Sequence, residues 1–457
     1  MTDPLSRRTF LLLTGQAVAA ATILSACAAQ PSGTKPSAVQ IWRSFANAEQ
    51  EEYFKTNFIE AYNQVAGLKA ELTVQQTTTI DRMIQTALAA GKGPDIVEST
   101  GPAMASSYAN AGYLAELEGY VDAFGWADKL QPWALGAGLV DGKLYSIPRA
   151  YSSLTMLYNP ETFDSNGWSL PTTRDELEAI CEDAESKGIM PIAAGNADYQ
   201  GATEWHISVF LNHVAGPEAV YRALTSEIKW TDPAIVESIQ LLADYIGRGW
   251  YGGGAQDYFT NTEASMFTKL ASGDAALLIS GSWAMSGAAP YFGEAAGNDA
   301  TWDWASIPAL NDGVPQGLVG LGVGGTYGIN AASAVPDETA ELIDFLVTDP
   351  VRQATALAEV GLSPAPALIS DSDFPSSVDE RVRRFYGAFS AAEWVGYTSW
   401  TYLPPKTNSY LYTEMEKVIV GDLSAADYCE GLQDQFAAEY AEGIVPVPPV
   451  PNATVAA

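Results

Sequence analysis

Histidine and cysteine are the scarcest of the reactive residues, with 2 and 3 of them in 457 positions. So few imidazoles leave little general-base capacity for serine or cysteine nucleophiles, and SGSW (Ser280 to Trp283) lacks the flanking glycine of a nucleophile elbow. His206 and His213 have no companion Cys or carboxylate pattern to complete a metal site, so they read as structural, and no cofactor or metal is called for. Basic residues are few as well: 23 Lys and Arg stand against 55 Asp and Glu, a formal charge of −32. That balance disfavours nucleic acid and anionic lipid headgroups as partners and leaves neutral or cationic solutes open. After residue 27 no apolar run is long enough to cross a membrane, and no internal repeat is present.

What is there begins at the N-terminus. Arg7 and Arg8 precede an apolar stretch from Phe10 to Leu24, too short to span a bilayer, and Leu24-Ser25-Ala26 sets small residues directly before Cys27. This resembles a twin-arginine lipoprotein signal, which implies a leader over 1–26, cleavage before Cys27 and acylation (palmitate) there. The polar segment from Ala28 to Pro36 would then act as a tether, within a span 27–37, reaching roughly 15–18 Å. The expected location is the outer face of the cytoplasmic membrane, with lipid as the only membrane contact.

The remaining chain is longer than one hydrophobic core usually serves, so two lobes are expected. Strand-like and amphipathic segments alternate, which argues for α/β architecture. Val39 to Phe45 reads as a strand, and Glu51 to Val65 as a helix with Tyr53, Phe54, Phe58 and Tyr62 on one side. Asp81 to Ala90 reads as a helix, and Gly91 to Thr100 as a turn into a buried strand. Thr173 with Glu176 forms a capping box for a helix through Lys187, and Ser424 with Asp427 starts another through Tyr440. Cys181 and Cys429 fall on apolar helix faces, where a disulfide or two separate buried thiols are both open.

Several motifs follow one another in a recognisable order: GKGPDIV (91–97), AGYLAELEGY (111–120), DGKLYSIPRAYSSLTMLYNPETF (141–163), LPTTRDEL, KGIMPIAAG, ASGDAALLISGSW (271–283), YGINAAS and PDETAELIDFLVTDP (336–350). In this order they resemble the extracellular solute-binding proteins of ABC importers, in the carbohydrate-binding group that includes maltose-binding protein. The resemblance implies a two-lobed, Venus-flytrap α/β fold, each lobe a sheet flanked by helices. It places 38–149 plus 314–347 in lobe 1 and 150–313 plus 348–457 in lobe 2, with crossings near Arg149 to Ser152, Val314 to Gly325 and Leu346 to Pro350. It also implies a monomer without enzymatic activity that binds a sugar between the lobes and passes it to permease subunits.

Sugars carry apolar C–H faces edged by hydroxyls, so aromatic rings, carboxylates, amides and Arg are the side chains to look for. The chain has 12 Trp and 22 Tyr. Trp283 closes a buried strand-like run and resembles the family's stacking position. Trp42, Arg43 and Ser44 end the first strand, with Ser99 and Thr100 at the same edge, where open α/β sheets bind ligands. Here STGP replaces the aromatic and acidic cluster of maltose-binding protein, which argues against a maltose-like specificity. Tyr151 and Ser152 lie at the first crossing, with Tyr151 a potential polar handle or a packing residue. Glu204 and Trp205 occupy a Gly-rich region, and Trp400, Tyr402 and Tyr410 an irregular, proline-held segment.

GLGVGG (Gly320 to Gly325) has dinucleotide-fingerprint spacing, but TYGIN continues it as strand rather than opening a helix, so it reads as a strand with close backbone approach. A glycerol phosphate ligand would need clustered cations, for which Arg43 and Arg149 are available; a polyamine would need acidic walls. A tethered glycoside hydrolase would need two carboxylates flanking a cleft, and no spacing singles out such a pair.

Overall fold

Two sheets, each serving its own core, organise the chain. The computed structural model describes residues 36–76 and 79–452, so the leader, Cys27 and most of the tether lie outside the described residues. In chain order the strands are β1 (Ala38–Arg43), β2 (Lys69–Val74), β3 (Ile96–Ser99), β4 (Leu139–Val140), β5 (Lys143–Leu144) and β6 (Ile147–Ser152). They continue with β7 (Leu154–Tyr158), β8 (Met190–Ala193), β9 (Ala275–Gly281), β10 (Asp303–Ala305), β11 (Val319–Ile329) and β12 (Val395–Tyr397).

The first sheet runs β12-β11-β3-β1-β2, with β6 also paired to β11. Its central pairs β1–β2 and β1–β3 are parallel, whereas β11 lies antiparallel to β3 and β6. Val39, Ile41, Ile96, Ile147, Tyr327 and Ile329 bury one core with Ile343 and Leu346 from the helix Pro336–Val347. The second sheet runs β10-β7-β9-β8, and all seven residues of β9 are buried. Met156, Leu157, Ile192 and Leu277 form its core with Leu177 and Cys181 of the helix Arg174–Ser186. A continuous apolar strand of that kind is what a sheet covered on both faces requires.

The chain steps from the first sheet to the second at Ser153, the one residue between β6 and β7. Ala150, Tyr151 and Ser152 therefore pair with β11 in the first sheet, a little beyond the expected boundary at 149. β11 spans both cores: Leu321 and Val323 pack in the second, Tyr327 and Ile329 in the first. Its register shifts around Gly325, a bulge of the sort that re-aims a strand. The helix Pro350–Val360 also divides, giving Ala354 and Leu357 to one core and Ala356 to the other.

The capping box at Thr173 and Glu176 forms as read, and Ser424 caps the helix Ala425–Ala441 through the Asp427 amide. Asp141 and Gly142, with φ of 50° and 77°, make the two-residue hairpin turn between β4 and β5. The first helix begins earlier than its apolar pattern suggests, at Ala48, because the Asn47 side chain accepts from the Gln50 amide and caps it. Cys181 and Cys429 are buried free thiols, each pushed up to about 12 by burial.

Both histidines are buried and neutral. His206 Nδ1 lies 2.8 Å from the Tyr258 hydroxyl, which donates on to Thr203 Oγ1, and His213 Nδ1–H donates to the Pro308 carbonyl at 3.1 Å. Burial pulls His206 down to about 3 and His213 to about 4. Among the described residues, no group of three or more His, Cys, Asp or Glu could hold a metal ion, and no helix is long and apolar enough to cross a membrane.

Candidate ligand-binding cleft

The carboxyl ends of β1 and β3 and the end of β9 open onto one cavity of about 710 Å³. From the first sheet it is bordered by Arg43, Ser44, Phe45, Thr100, Arg149 and Ser152, and from other elements by Tyr199, Glu204, Trp205, Trp283, Trp400 and Asn408.

One wall is a run of four rings. Tyr199 and Trp205 lie 6.0 Å apart, Trp205 and Trp283 4.9 Å, and Trp283 and Trp400 6.4 Å, the last two pairs edge to face. The three indoles are half-buried, so each keeps surface for a ligand while its neighbours hold its orientation. Glycine makes room for them. A Cβ on Gly281 would sit 2.1 Å from the Trp283 ring, one on Gly201 2.3 Å from Tyr199, and one on Gly322 2.6 Å from Trp400. The GLGVGG segment is thus a strand whose missing side chains admit a tryptophan at Gly322 and the Arg149 guanidinium at Gly325, where a Cβ would stand 2.6 Å from Nε.

The groups at the end of β1 and on β6 include two guanidiniums. Arg43 is buried, donates to the Tyr327 hydroxyl, and lies over the Phe54 ring at 4.2 Å. Burial lowers its pKa below the usual guanidinium value, with Arg149 adding to the effect and Tyr327 and Glu98 opposing it. Arg149 pairs with the buried Glu98 at 2.8 Å. Both cations line the cavity: Arg149 is paired, Arg43 donates to a neutral hydroxyl, and the Nε of each has no hydrogen-bond partner among the described residues.

Glu204 sits in the first turn of the helix Ala202–Phe210, 3 % exposed, and accepts from Asn408 Nδ2 at 2.7 Å. Burial lifts its carboxyl to about 7, against the pull of that hydrogen bond. The folded state therefore holds a proton that the unfolded chain, titrating near 4.5, gives up. This contribution to stability is full below 4.5 and is lost as pH rises through 7. Glu204→Gln is expected to remove that slope, a difference of about 3 kcal/mol between pH 4.5 and 7.5, readable from denaturant midpoints across the range. An unchanged slope would show that Glu204 is not the group responsible.

Of the residues singled out from the sequence, Arg43, Ser44, Thr100, Ser152, Glu204, Trp205, Trp283 and Trp400 come together here. The others are placed differently. Tyr151 borders the cavity, with its side chain buried among Trp133, Tyr386 and Phe389 and its hydroxyl without a hydrogen-bond partner among the described residues. Trp42 is turned onto the small cluster of Ile84, Val97 and Tyr108. The Ser99 hydroxyl is spent on Thr326 Oγ1 and the Gly101 carbonyl. Tyr402 is fully buried against Tyr397, and Tyr410 donates to the Tyr428 carbonyl at 3.2 Å. Their segment is not irregular: it comprises the helices Ser399–Tyr402 and Pro405–Ile419, with Pro405 at a helix start, where proline is well tolerated. Tyr199 and Asn408 went unremarked, although both lie in segments already singled out. The usable signal for Tyr199 is a glycine two positions away, Gly201 after it, as Gly281 stands two positions before Trp283.

The family described as "Bacterial extracellular solute-binding protein" matches residues 57–378, most of the chain. The chain belongs to this family. Among curated relatives it is similar to the "Osmoprotective compounds-binding protein GgtB" of Synechocystis sp., 22 % identical over 201 residues covering 43 % of this chain and 47 % of that one. It is also similar to the "Alpha-glucosides-binding periplasmic protein AglE" of Rhizobium meliloti, 27 % identical over 220 residues and 44 % of each chain. The matches span about half the length of these relatives. A solved "Chitin oligosaccharide binding protein" superposes with a TM-score of 0.71 at 21 % identity, covering 88 % of this chain and 99 % of that one. The family's two-lobed α/β fold is the fold of this chain.

Proposed function

We propose that this solute-binding protein captures a mono- or oligosaccharide in the cleft and delivers it to the permease of an ABC importer, without altering it. Lobe 1 comprises 38–149 plus 314–347 and lobe 2 150–313 plus 348–457, adjusted by the pairing of 150–152 with β11. Lipid on Cys27 holds the monomeric receptor at the outer face of the cytoplasmic membrane.

The run Tyr199, Trp205, Trp283 and Trp400, lining one cavity with Arg43, Ser44, Thr100 and Arg149, carries this reading. Indole faces suit the C–H faces of a sugar, while the guanidiniums, hydroxyls and the Glu204–Asn408 pair suit its edges. Among the described residues Asn408 Oδ1 has no hydrogen-bond partner, and a sugar hydroxyl would supply the donor. The sugar-binding names of relatives and of structural neighbours point the same way.

Two other ligands fit less well. A glycerol phosphate would have to compete with Glu98 for Arg149 and with Tyr327 for Arg43. A polyamine would meet two guanidiniums and a single carboxyl that burial keeps largely protonated up to about 7.

A thermal-shift screen of the folded domain against monosaccharides and oligosaccharides tests the proposal, with glycerol phosphates, polyamines, amino acids and glycine betaine alongside. A sugar at about 100 times its dissociation constant adds about 2.7 kcal/mol, a clear rise in midpoint. A shift with a phosphate or polyamine and with no sugar would retain the receptor and discard the carbohydrate. Conversion of a sugar during incubation would discard the non-enzymatic reading.

A further inference from the structure

A second cavity, of about 1070 Å³, adjoins the first. The two share Ala46, Gln50, Trp283 and Gly361, which therefore mark the junction. Gln50 is held there: its Nε2 donates to the Val360 carbonyl at 3.1 Å, tying the helix Ala48–Phe54 to the helix Pro350–Val360. Beyond the junction the outer chamber carries its own set of polar groups. Glu263 faces it from the start of the helix Glu263–Ser272, and Arg381, stacked on Trp302 at 3.9 Å and bonded to Asp379, faces it from another side. Neither group is used by the inner cavity.

We propose that the ligand is an oligosaccharide that passes over Trp283 and occupies both chambers, rather than a monosaccharide confined to the inner one; this rests on the carbohydrate reading above. Recognition sites enclose most of their ligand's surface, so a ligand filling only the inner chamber would leave the outer Glu263, Asp379 and Arg381 facing water. A ring bordering both chambers gives a sugar chain a stacking surface at the point where it crosses from one to the other. The outer carboxylates and guanidinium then meet hydroxyls of the distal units, each such hydrogen bond being charge-assisted.

The test is isothermal titration of the unmodified protein with malto-, cello-, xylo- and chito-oligosaccharides from one to six units, followed by Glu263→Ala. One series is expected to gain at least tenfold in affinity between its monosaccharide and its three- or four-unit member. Glu263→Ala, shown to be folded by an unchanged melting midpoint without ligand, should weaken the longer members roughly tenfold and leave the shortest binder unchanged. Equal affinity for a monosaccharide and its oligomers would overturn the two-chamber proposal and leave the sugar receptor standing. An equal loss for short and long ligands in Glu263→Ala would do the same. Absence of binding by every sugar, at any length, would overturn both readings.

Discussion

Replacing Trp283 with alanine is expected to weaken sugar binding by roughly 30- to 150-fold, about 2–3 kcal/mol, with the fold retained. The magnitude follows from the contact. An indole face covered by a sugar ring removes on the order of 60 Å² of apolar surface from water, about 1.5 kcal/mol, and aromatic contact adds about 0.5–1.5 kcal/mol beyond the area. Trp283 also borders both chambers, so its loss acts wherever along the cleft a ligand lies. Its edge-to-face contacts at 4.9 Å with Trp205 and 6.4 Å with Trp400 add an indirect effect, since both neighbours lose a wall that orients them. The fold should survive because Trp283 is only partly buried and follows β9, whose seven residues are all buried without it. Titration of the variant with the sugar found in the thermal screen, beside an unfolding curve, separates the two effects. Unchanged affinity in a folded variant would remove Trp283 from the site and with it the aromatic wall as the carrier of recognition.

The parts of this arrangement that sequence reveals are those set by local chemistry. Thr173 with Glu176, the Asp141-Gly142 turn and the buried run at β3 and β9 each depend on a few adjacent residues, and each forms as read. The half-buried indoles are legible for different reasons: Trp283 closes a buried strand, Trp205 lies in a Gly-rich stretch and Trp400 in an aromatic segment beside two prolines. Tyr151 is different. Five of the six residues of β6 are buried, so alternation carries no information about which face looks toward a ligand, and a tyrosine in the strand is equally at home in either core. Tyr402 and Tyr410 are placed elsewhere for another reason. Pro404 and Pro405 suggest a break, but proline is well tolerated at a helix start; Tyr402 ends the short helix before them, fully buried, and Tyr410, half-buried on the helix after them, donates to the Tyr428 carbonyl. Asn408, one polar residue among several in TNSY, becomes meaningful only when the fold brings it to Glu204, more than two hundred positions earlier.

Removing Glu98 should destabilise the protein by about 3–5 kcal/mol, more than any surface ion pair would. Glu98 lies on β3 behind the cleft, 5 % exposed, and its Oε1 meets Arg149 at 2.8 Å; Arg43, 6 % exposed, lies within its electrostatic reach. In Glu98→Ala two guanidiniums remain in a poorly solvated site without their principal counter-ion. Pairing a buried charge yields little net gain, but stripping its partner leaves the full desolvation cost of the remaining charge. Asp81, on the helix Ile80–Ala89, is the nearest relief. Burial and Glu98 both raise its carboxyl, with Arg149 opposing, so once Glu98 is gone Asp81 ionises more readily and returns part of the loss. The lower half of the range is therefore expected near neutral pH, and a larger loss in Glu98→Ala/Asp81→Asn. Arg149→Met added to Glu98→Ala should recover stability relative to Glu98→Ala alone, because one stranded cation is replaced by an apolar side chain of similar length. Denaturant midpoints of the unmodified protein and these three variants measure each effect. A loss under about 1 kcal/mol in Glu98→Ala, or no recovery with Arg149→Met, would show that water solvates the cluster well enough to make the pair dispensable. The same variants bear on binding, because Arg149 borders the cleft, where the absent side chain at Gly325 admits its guanidinium.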